Sequence, residues 1–364
     1  MVPASSAGSA REAASRSNSP APATLIQYLV GMVRDQIEMP QSHLVQGLEF
    51  RLFEGESDFP AMISVINAAK RTDGVERTDT VADLAINYRR LVNCDPYRDV
   101  CIATVHGKVV GYSRVWWEKQ EDGLAVYLSF GFLHPEWRRK GIGRDMLAWN
   151  QNRLKEIAAG RPAAERAVFR SMADGGEIGA KALLESDGYV PVTFGASMSR
   201  TLMGDLPDLP LPEGLVVRPV EPDHLRSIWE ADAKAFLDHW GSRPQTEIDW
   251  QRFLERPDTD PTLWRVAWEG DRVIGQVRSY IDPDENDEYQ RLRGYTENIS
   301  TAREWRGRGV ARALICQSMT ALRQRGMTEA ALGVHAENPT GAFHLYSSLG
   351  YEVETTWSVY EKPF

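Results

Sequence analysis

The chain repeats itself, and this repeat constrains its fold more than any other feature of the sequence. The run EWRRKGIGRDML begins at Glu136, and the similar run EWRGRGVARAL begins at Glu304. Trp137 thus corresponds to Trp305, 168 residues later. Matching segments flank both runs in the same order. The 364 residues are therefore predicted to contain two units of one kind in tandem.

The flanking segments predict an α/β unit. Each half begins with an alternating strand, an acidic turn and a helical pattern, from Gly47 and from Gly214. Two strands joined at a glycine turn follow, from Val100 and from Leu263. The Arg/Gly run and a helix come next, and a strand, a helix and a strand close each half. The order predicted from the pattern is β-α-β-β-α-β-α-β.

Composition indicates where the units begin and end. Residues 1–44 are rich in Ala, Ser and Pro and are predicted to be a disordered tail, with a possible short helix at 24–39. Residues 45–203 are predicted to form the N-terminal domain and 214–364 the C-terminal domain. The Pro-rich segment 204–213 is predicted to link them.

Charge and cysteine content narrow the class of protein. The net charge of −9 argues against a nucleic-acid partner, which normally needs a basic face. Cys94, Cys101 and Cys316 show neither metal-ligand spacing nor a disulfide framework. No apolar run approaches the length of a membrane span. We expect a cytoplasmic protein with no metal and no membrane partner.

Each Arg/Gly run combines the features of an anion site. The first turn of a helix has N–H groups without partners, and small residues let a phosphate approach the backbone. Arginines add charge-assisted hydrogen bonds. Glycines that only make a turn would explain one run equally well, but two copies in the same context favour a pyrophosphate site. The residues predicted to bind it are Arg138, Arg139, Gly141 and Gly143, and Arg306, Gly307, Arg308, Gly309, Val310 and Ala311.

With these motifs, both halves resemble the GNAT acyl-CoA-dependent N-acyltransferases. The resemblance rests on Arg-x-x-Gly-x-Gly from Arg138, Arg-x-x-Gly-x-Ala from Arg306, and ENPTGAFHLYSSLGY from Glu337. It implies that acetyl-CoA is the acetyl donor, with its pyrophosphate on the Arg/Gly turn. It also implies a twisted, mostly antiparallel sheet flanked by helices. The fourth and fifth strands would splay, and the pantetheine arm would pair there like an added strand.

The resemblance also indicates which groups react. Tyr346 lies where similar enzymes carry the tyrosine that protonates the CoA thiolate, although a core aromatic is the alternative. Asn338 is expected to cap the following helix and to bond the pantetheine arm. Glu297, on the fourth strand, is the candidate base for the amine, and His335 is its competitor. The backbone N–H groups of Ile299, Ser300 and Thr301 are the expected donors to the acetyl carbonyl.

The N-terminal domain lacks these reactive side chains. Aligned by simple offset, Glu297 falls on Ser129, Tyr346 on Leu184 and Asn338 on Gly176. The C-terminal domain is therefore predicted to be catalytic. The N-terminal domain either binds CoA or only supports its partner.

The acceptor is predicted to be a primary amine of a small molecule. The segment FLDHWGSRP offers Asp238, His239 and Trp240 as substrate-binding groups, although a polar loop at a helix end is an equally good interpretation. Alternatives are acetylation of a cysteinyl aminosugar conjugate, a protein acetyltransferase, and a CoA-binding regulatory protein without turnover. The sequence leaves the acceptor and the oligomeric state open.

Overall fold

The computed structural model describes residues 45–255, 259–335 and 341–364. The predicted tail and its possible short helix lie outside these ranges. Within them, no helix is long and apolar enough to cross a membrane.

The N-terminal half contains helices and strands in the following order: β1 (Leu48–Leu52), α1 (Phe59–Asp73), α2 (Val81–Arg89), α3 (Pro96–Asp99), β2 (Val100–Val105), β3 (Lys108–Lys119), β4 (Ala125–Leu133), α4 (Ile142–Ala159), β5 (Ala167–Asp174), α5 (Ile178–Ser186) and β6 (Val190–Thr201).

The C-terminal half repeats this plan: β7 (Val216–Val217), α6 (Leu225–Ala235), α7 (Glu247–Leu254), β8 (Arg265–Glu269), β9 (Arg272–Ile281), α8 (Pro283–Glu288), β10 (Arg293–Thr301), α9 (Val310–Gln324), β11 (Glu329–His335), α10 (Ala342–Ser348) and β12 (Glu352–Pro363).

Each half contains one strand more than the order predicted from the pattern. The added strands are β4 and β10, which lead directly into the two Arg/Gly turns. Helices pack against both strands, α1 and α4 on β4 and α6 and α9 on β10. A strand that is covered on both faces loses the alternation of apolar and polar residues that reveals a strand in sequence.

The helix after each Arg/Gly turn begins and ends where the sequence predicts. Helix α4 begins at Ile142 and is followed by Gly160, and α9 begins at Val310 and ends just before Gly326. The buried face of α9 includes Ile315, Met319 and Leu322, spaced at the helical period. This face packs on β8, β9 and β10, and α4 packs on β2, β3 and β4.

The two halves share a single sheet and exchange their last strands. Its twelve described strands run in the order β1-β2-β3-β4-β5-β12-β6-β11-β10-β9-β8-β7. Strand β12 pairs antiparallel with β5 of the other half, and β6 pairs antiparallel with β11. At the centre, β6 and β12 pair with each other. Each half thus contains, at the centre of the sheet, the last strand of the other half.

Trp357 and Gly195 face each other at the centre of this exchange. They are register partners on β12 and β6. A Cβ atom at Gly195 would lie 2.2 Å from Cζ2 of Trp357 and 2.7 Å from the carbonyl oxygen of Val334. The indole therefore occupies the space that a side chain at residue 195 would need.

A single methyl group at this position tests the exchange. We expect Gly195→Ala to lower the free energy of unfolding by about 1–3 kcal/mol, because the packed indole and a backbone oxygen must move. The control is Gly179→Ala in α5, where an added Cβ meets nothing within 4 Å. The control should be neutral or stabilising by up to about 1 kcal/mol. Urea denaturation measures both, and equal midpoints would contradict the packing described.

Candidate active site

The two Arg/Gly turns have the same backbone geometry. Gly141 and Gly309 precede α4 and α9 with left-handed φ angles of 91° and 87°. Two residues earlier, Arg139 and Gly307 also have positive φ angles, of 62° and 74°. Because glycine has no side chain to cap a helix, the N–H groups of the first turn remain for a ligand. Both turns can therefore receive an anion.

The small residue two positions after each of these glycines is not under the same constraint. A Cβ at Gly143 would make an ordinary contact, 3.4 Å from Cδ2 of Leu183. This explains why the equivalent position in the second half can be Ala311. Backbone conformation requires glycine at 141 and 309, whereas 143 and 311 need only a small side chain.

The first arginine of each turn is engaged within the protein. Nε of Arg306 donates to the carbonyl oxygen of Thr301, and its NH1 lies 2.8 Å from Oδ2 of Asp238. Arg138 makes the same pattern, with Nε on the last carbonyl of β4 and both terminal nitrogens on Asp73, at 2.6 and 2.7 Å. These arginines tie each turn to the C-terminal end of the first helix of its half, at Asp73 in α1 and at Asp238 just after α6.

A second cation in each turn lies over a tryptophan. The guanidinium of Arg308 lies 5.0 Å from the ring centroid of Trp305, and Nζ of Lys140 lies 4.5 Å from that of Trp137. Lys140 is the counterpart of Arg308 and was not among the predicted residues. The sequence could have indicated Lys140, because it carries a positive charge at the position equivalent to Arg308.

The strands before and after α9 separate, as the resemblance implies. Parallel pairing of β10 with β11 runs only from Arg293 with Glu329 to Tyr295 with Ala331. Beyond this point β10 pairs only with β9, and β11 only with β6, among the described strands. A V-shaped gap therefore opens between them. It is suited to an extended ligand that pairs with a strand edge.

A bulge in β10 lies at the mouth of this gap. The register with β9 shifts between Glu297 and Ser300, and Asn298 has a φ of 50°. Asn298 and Ile299 consequently have no register partner on β9. A bulge leaves backbone groups outside the ladder, where they can bind a ligand.

The N-terminal half has the gap but not the bulge. Strands β4 and β5 pair from Ala125 with Ala167 to Leu128 with Arg170 and then separate. However, β4 keeps one register with β3 along its whole length. Among the described strands that border the two gaps, only β10 offers the irregular backbone.

Glu297 and Tyr346 come together at the gap. Oε1 of Glu297 accepts a hydrogen bond of 2.7 Å from the backbone N–H of Gly333 on β11. Tyr346 is buried on α10, and burial raises the pKa of its phenol. The negative charge of Glu297 raises this pKa further. The phenol is therefore protonated at neutral pH. Asn338, the third predicted catalytic residue, lies outside the described residues.

A cavity of about 580 Å³ lies beside the gap. Asn298 of β10 and His335 of β11 line it, and so do His239 and Trp240 of the predicted substrate loop. Asp238 instead directs its carboxylate to Arg303 and Arg306. The cavity is also lined by Trp229, Asp232, Arg243, Asp249, Arg252, Phe253, Trp264, Arg278, Tyr280 and, from the other half, Glu118.

The two histidines of the cavity are neutral at physiological pH. Burial lowers the pKa of His239, and the nearby His335 and Arg306 lower it further against the opposing charge of Asp238. Burial alone lowers the pKa of His335. The T-shaped contact of its ring with Trp357, at 4.6 Å between centroids, fixes the imidazole at the end of β11.

Known proteins share this arrangement. The sequence model of the acetyltransferase (GNAT) family matches residues 63–167 and 225–351, which is one copy in each half. The chain belongs to the GNAT acetyltransferase family. The resemblance predicted from the Arg/Gly turns is thereby confirmed, as is the tandem α/β fold, and the chain is an N-acetyltransferase.

Curated relatives of this GNAT chain span most of its length. The mycothiol acetyltransferase of Geodermatophilus obscurus is 29% identical over 82% of the chain and 92% of the relative. That of Streptosporangium roseum is 26% identical over 84% of the chain and 95% of the relative.

Solved structures share the tandem GNAT architecture. A GCN5-related N-acetyltransferase from Sphaerobacter thermophilus aligns with a TM-score of 0.68 at 24% identity, over 90% of this chain and 97% of the other. A tandem GNAT protein from the clavulanic acid biosynthesis pathway aligns with a TM-score of 0.59 at 15% identity, over 87% and 98% of the two chains. GNAT enzymes use acetyl-CoA as co-substrate.

The N-terminal GNAT unit contains a larger cleft than the acceptor cavity. Its volume is about 1190 Å³, and it follows the gap between β4 and β5 as far as the first Arg/Gly turn. Trp357, from the exchanged strand β12, also lines it. Ser129 stands at the position equivalent to Glu297. Its carbonyl oxygen accepts a hydrogen bond from the hydroxyl of Ser171 on the other side of the gap.

Several site residues were missed from the sequence. Arg278 and Tyr280 of β9 line the cavity. Their only signal in the sequence was the alternation of polar side chains along an otherwise apolar strand. Glu118 comes from the other half and had no signal, since only the tertiary fold brings it to the cavity. Among the described residues, no cluster of three or more acidic, cysteine or histidine side chains could hold a metal ion.

Proposed function

We propose that the C-terminal half transfers the acetyl group of acetyl-CoA to the primary amine of a small molecule, by direct attack. One observation carries the proposal: the bulged strand β10 brings Glu297 close to Tyr346 at the gap, and its next residue, Asn298, lines the neighbouring cavity. The N-terminal half has the turn and the gap but neither the bulge nor these side chains. The cavity volume of about 580 Å³ is within the usual range of small-molecule sites, which favours a small acceptor over a protein chain.

The donor would bind along the gap between β10 and β11. The backbone N–H groups of the turn at residues 306–311 would hold the pyrophosphate, and Arg308 would supply positive charge beside it. Arg306, held by Asp238, would keep the turn in position rather than bind the phosphate itself. The pantetheine arm would pair with the free edge of β10.

The reaction needs three functions from the protein. Glu297, directly or through a water molecule, takes a proton from the acceptor ammonium, whose pKa is about 10 when free. The neutral amine attacks the thioester carbonyl, and the N–H groups of residues 299–301 stabilise the oxyanion. When the C–S bond breaks, Tyr346 donates its phenolic proton to the departing thiolate. The positively charged nitrogen of the intermediate loses one proton, which restores the phenol directly or through water, and the neutral amide and CoA are released.

We infer that the N-terminal half binds a CoA molecule without turning it over. Its turn has the geometry of the second turn, and its cleft is large enough for an extended coenzyme. Ser129 and Leu184 stand where the base and the acid would be needed, so the bound thioester would not react.

A cysteinyl aminosugar conjugate is the favoured acceptor. The curated relatives, which span most of the chain, are named mycothiol acetyltransferases. The cavity combines flat aromatic walls with arginine and carboxylate groups, a lining that suits a hydroxyl-rich ring. Other small amines remain the comparison set for an assay.

Calorimetric titration with acetyl-CoA tests the two turns. We expect two sites in the wild-type chain and one in each of Gly141→Val and Gly309→Val, because a β-branched residue is strained at φ near +90°. The control is Gly143→Ala, which copies the residue of the other turn and should retain two sites. A single site, lost only in Gly309→Val, would refute CoA binding by the N-terminal half.

Turnover assays test both the proposed acceptor and Tyr346 as the proposed acid. CoA release is measured with cysteinyl glucosamine, glucosamine, spermidine and a lysine peptide as acceptors. We expect the cysteinyl conjugate to give the highest kcat/KM. With this acceptor, we expect Tyr346→Phe to lower kcat by about 10²-fold or more, with little change in acetyl-CoA affinity. Unchanged kcat in Tyr346→Phe at saturating substrate would exclude the phenol as acid. Preference for the peptide would contradict a small-molecule acceptor.

The pH profile of kcat/KM separates the two candidate bases. With Glu297 as base, Glu297→Gln should lower kcat by about 10²-fold or more, whereas His335→Gln should act mainly on the acceptor KM. If His335 were the base, activity would be present above its lowered pKa and would fall as pH drops through a value below the usual 6.5. Loss of that acidic limb in His335→Gln would move the base assignment to His335.

A further inference from the structure

The wall of the acceptor cavity is held by the other half of the molecule. Residues 239–246, here called the acceptor loop, follow the turn Phe236–Asp238 and precede α7. The carbonyl oxygen of Ser242 in this loop accepts a hydrogen bond of 3.1 Å from the N–H of Glu121. Nε of Arg243 lies 3.7 Å from the carboxylate of Glu118 on β3.

Arg170 of β5 packs directly against this loop. Its guanidinium lies over the indole of Trp240, 4.2 Å from the ring centroid. Gly241 has a left-handed φ of 74°, and a Cβ there would lie 3.6 Å from Nη1 of Arg170 and 3.4 Å from the side-chain amide of Gln120. The loop backbone thus runs directly against these two side chains of the N-terminal half.

Arg170 is itself fixed before any acceptor arrives. Only 8% of its side chain is exposed, and its Nε and NH2 donate to Oε1 of Glu361 at 2.8 and 2.5 Å. Glu361 lies on the exchanged strand β12, opposite Arg170 in the register. With its amide oxygen turned toward Arg170, Gln120 accepts a further hydrogen bond of 2.7 Å. The flat guanidinium therefore has a set orientation, which a flexible surface arginine would lack.

The same indole continues to the reacting side of the cavity. The ring of Trp240 lies 5.9 Å from that of His335, with 42% of the tryptophan exposed. A ligand in the cavity can therefore contact the indole, which is positioned by Arg170 behind it.

We propose that Arg170 is a positioning residue for the acceptor: by stacking on Trp240 it holds the acceptor loop, so that the N-terminal half sets acceptor binding at the catalytic C-terminal half. This inference rests on the proposed function for its kinetic consequence. Its structural part, the order of the acceptor loop, stands on the contacts alone.

Hydrogen exchange of the full-length protein tests the structural part. We expect Arg170→Gln to speed amide exchange in residues 239–246 by about tenfold, while residues 303–311 remain at the wild-type rate. Arg170→Lys keeps a positive charge opposite Glu361 but has no flat face, so it should give the same local increase. The control is Arg90→Gln, which removes another ion pair between the halves, Arg90 with Glu255, at the exposed surface. This control should leave the loop unchanged.

Steady-state kinetics with cysteinyl glucosamine test the functional part. In Arg170→Gln and Arg170→Lys we expect KM for this acceptor to rise about tenfold, with kcat and KM for acetyl-CoA unchanged. Unchanged loop exchange, full recovery by lysine, or faster exchange throughout the sheet in both variants would overturn the positioning role. If the wild-type enzyme does not acetylate this conjugate, the proposed acceptor fails, and loop exchange alone then decides the role of Arg170.

Discussion

The backbone pairing of β6 with β12 is the interaction on which the rest of the molecule depends. These two strands are the last of their respective halves, yet β12 pairs with β5 of the N-terminal half and β6 pairs with β11 of the C-terminal half. The sheet β5-β12-β6-β11 therefore cannot be divided into two halves without breaking strand pairs. Strands in such a ladder satisfy their hydrogen bonds only when both halves are present. The packing of Trp357 over Gly195 fills the centre of this ladder, where no second side chain fits.

This exchange also explains where the acceptor cavity lies. Because β12 joins β5, Glu361 meets Arg170, and Arg170 in turn meets Trp240 of the C-terminal half. The cavity wall is thus built from both halves, although the proposed reacting groups, Glu297 and Tyr346, both belong to the C-terminal half. Trp357 touches His335 on one side and lines the N-terminal cleft on the other, so both clefts share a residue of the exchanged strand.

The two halves share the Arg/Gly turn and differ in the strand that leads into it. Both keep the turn, including its left-handed residues and the arginine that is tied to an aspartate. The difference lies in strand β10, whose bulge near Asn298 frees backbone groups beside Glu297, whereas β4 stays regular and carries Ser129. A shared turn can hold an anion in either half, but acyl transfer also needs donors for an oxyanion and groups that move protons.

Much of this protein was determined by its sequence alone. The repeat, the strand–turn–helix around each Arg/Gly run and the family follow from local patterns, because glycine conformation and helical periodicity act within a few residues. Aligning one half with the other was enough to show that Ser129 and Leu184 stand at the positions of Glu297 and Tyr346. Tertiary structure alone decided that the last strands exchange, that Arg306 binds Asp238, that Arg170 stacks on Trp240 and that Glu118 lines the cavity. These contacts join residues 60 or more positions apart, and no local pattern records which strand edge or side chain a distant segment will meet.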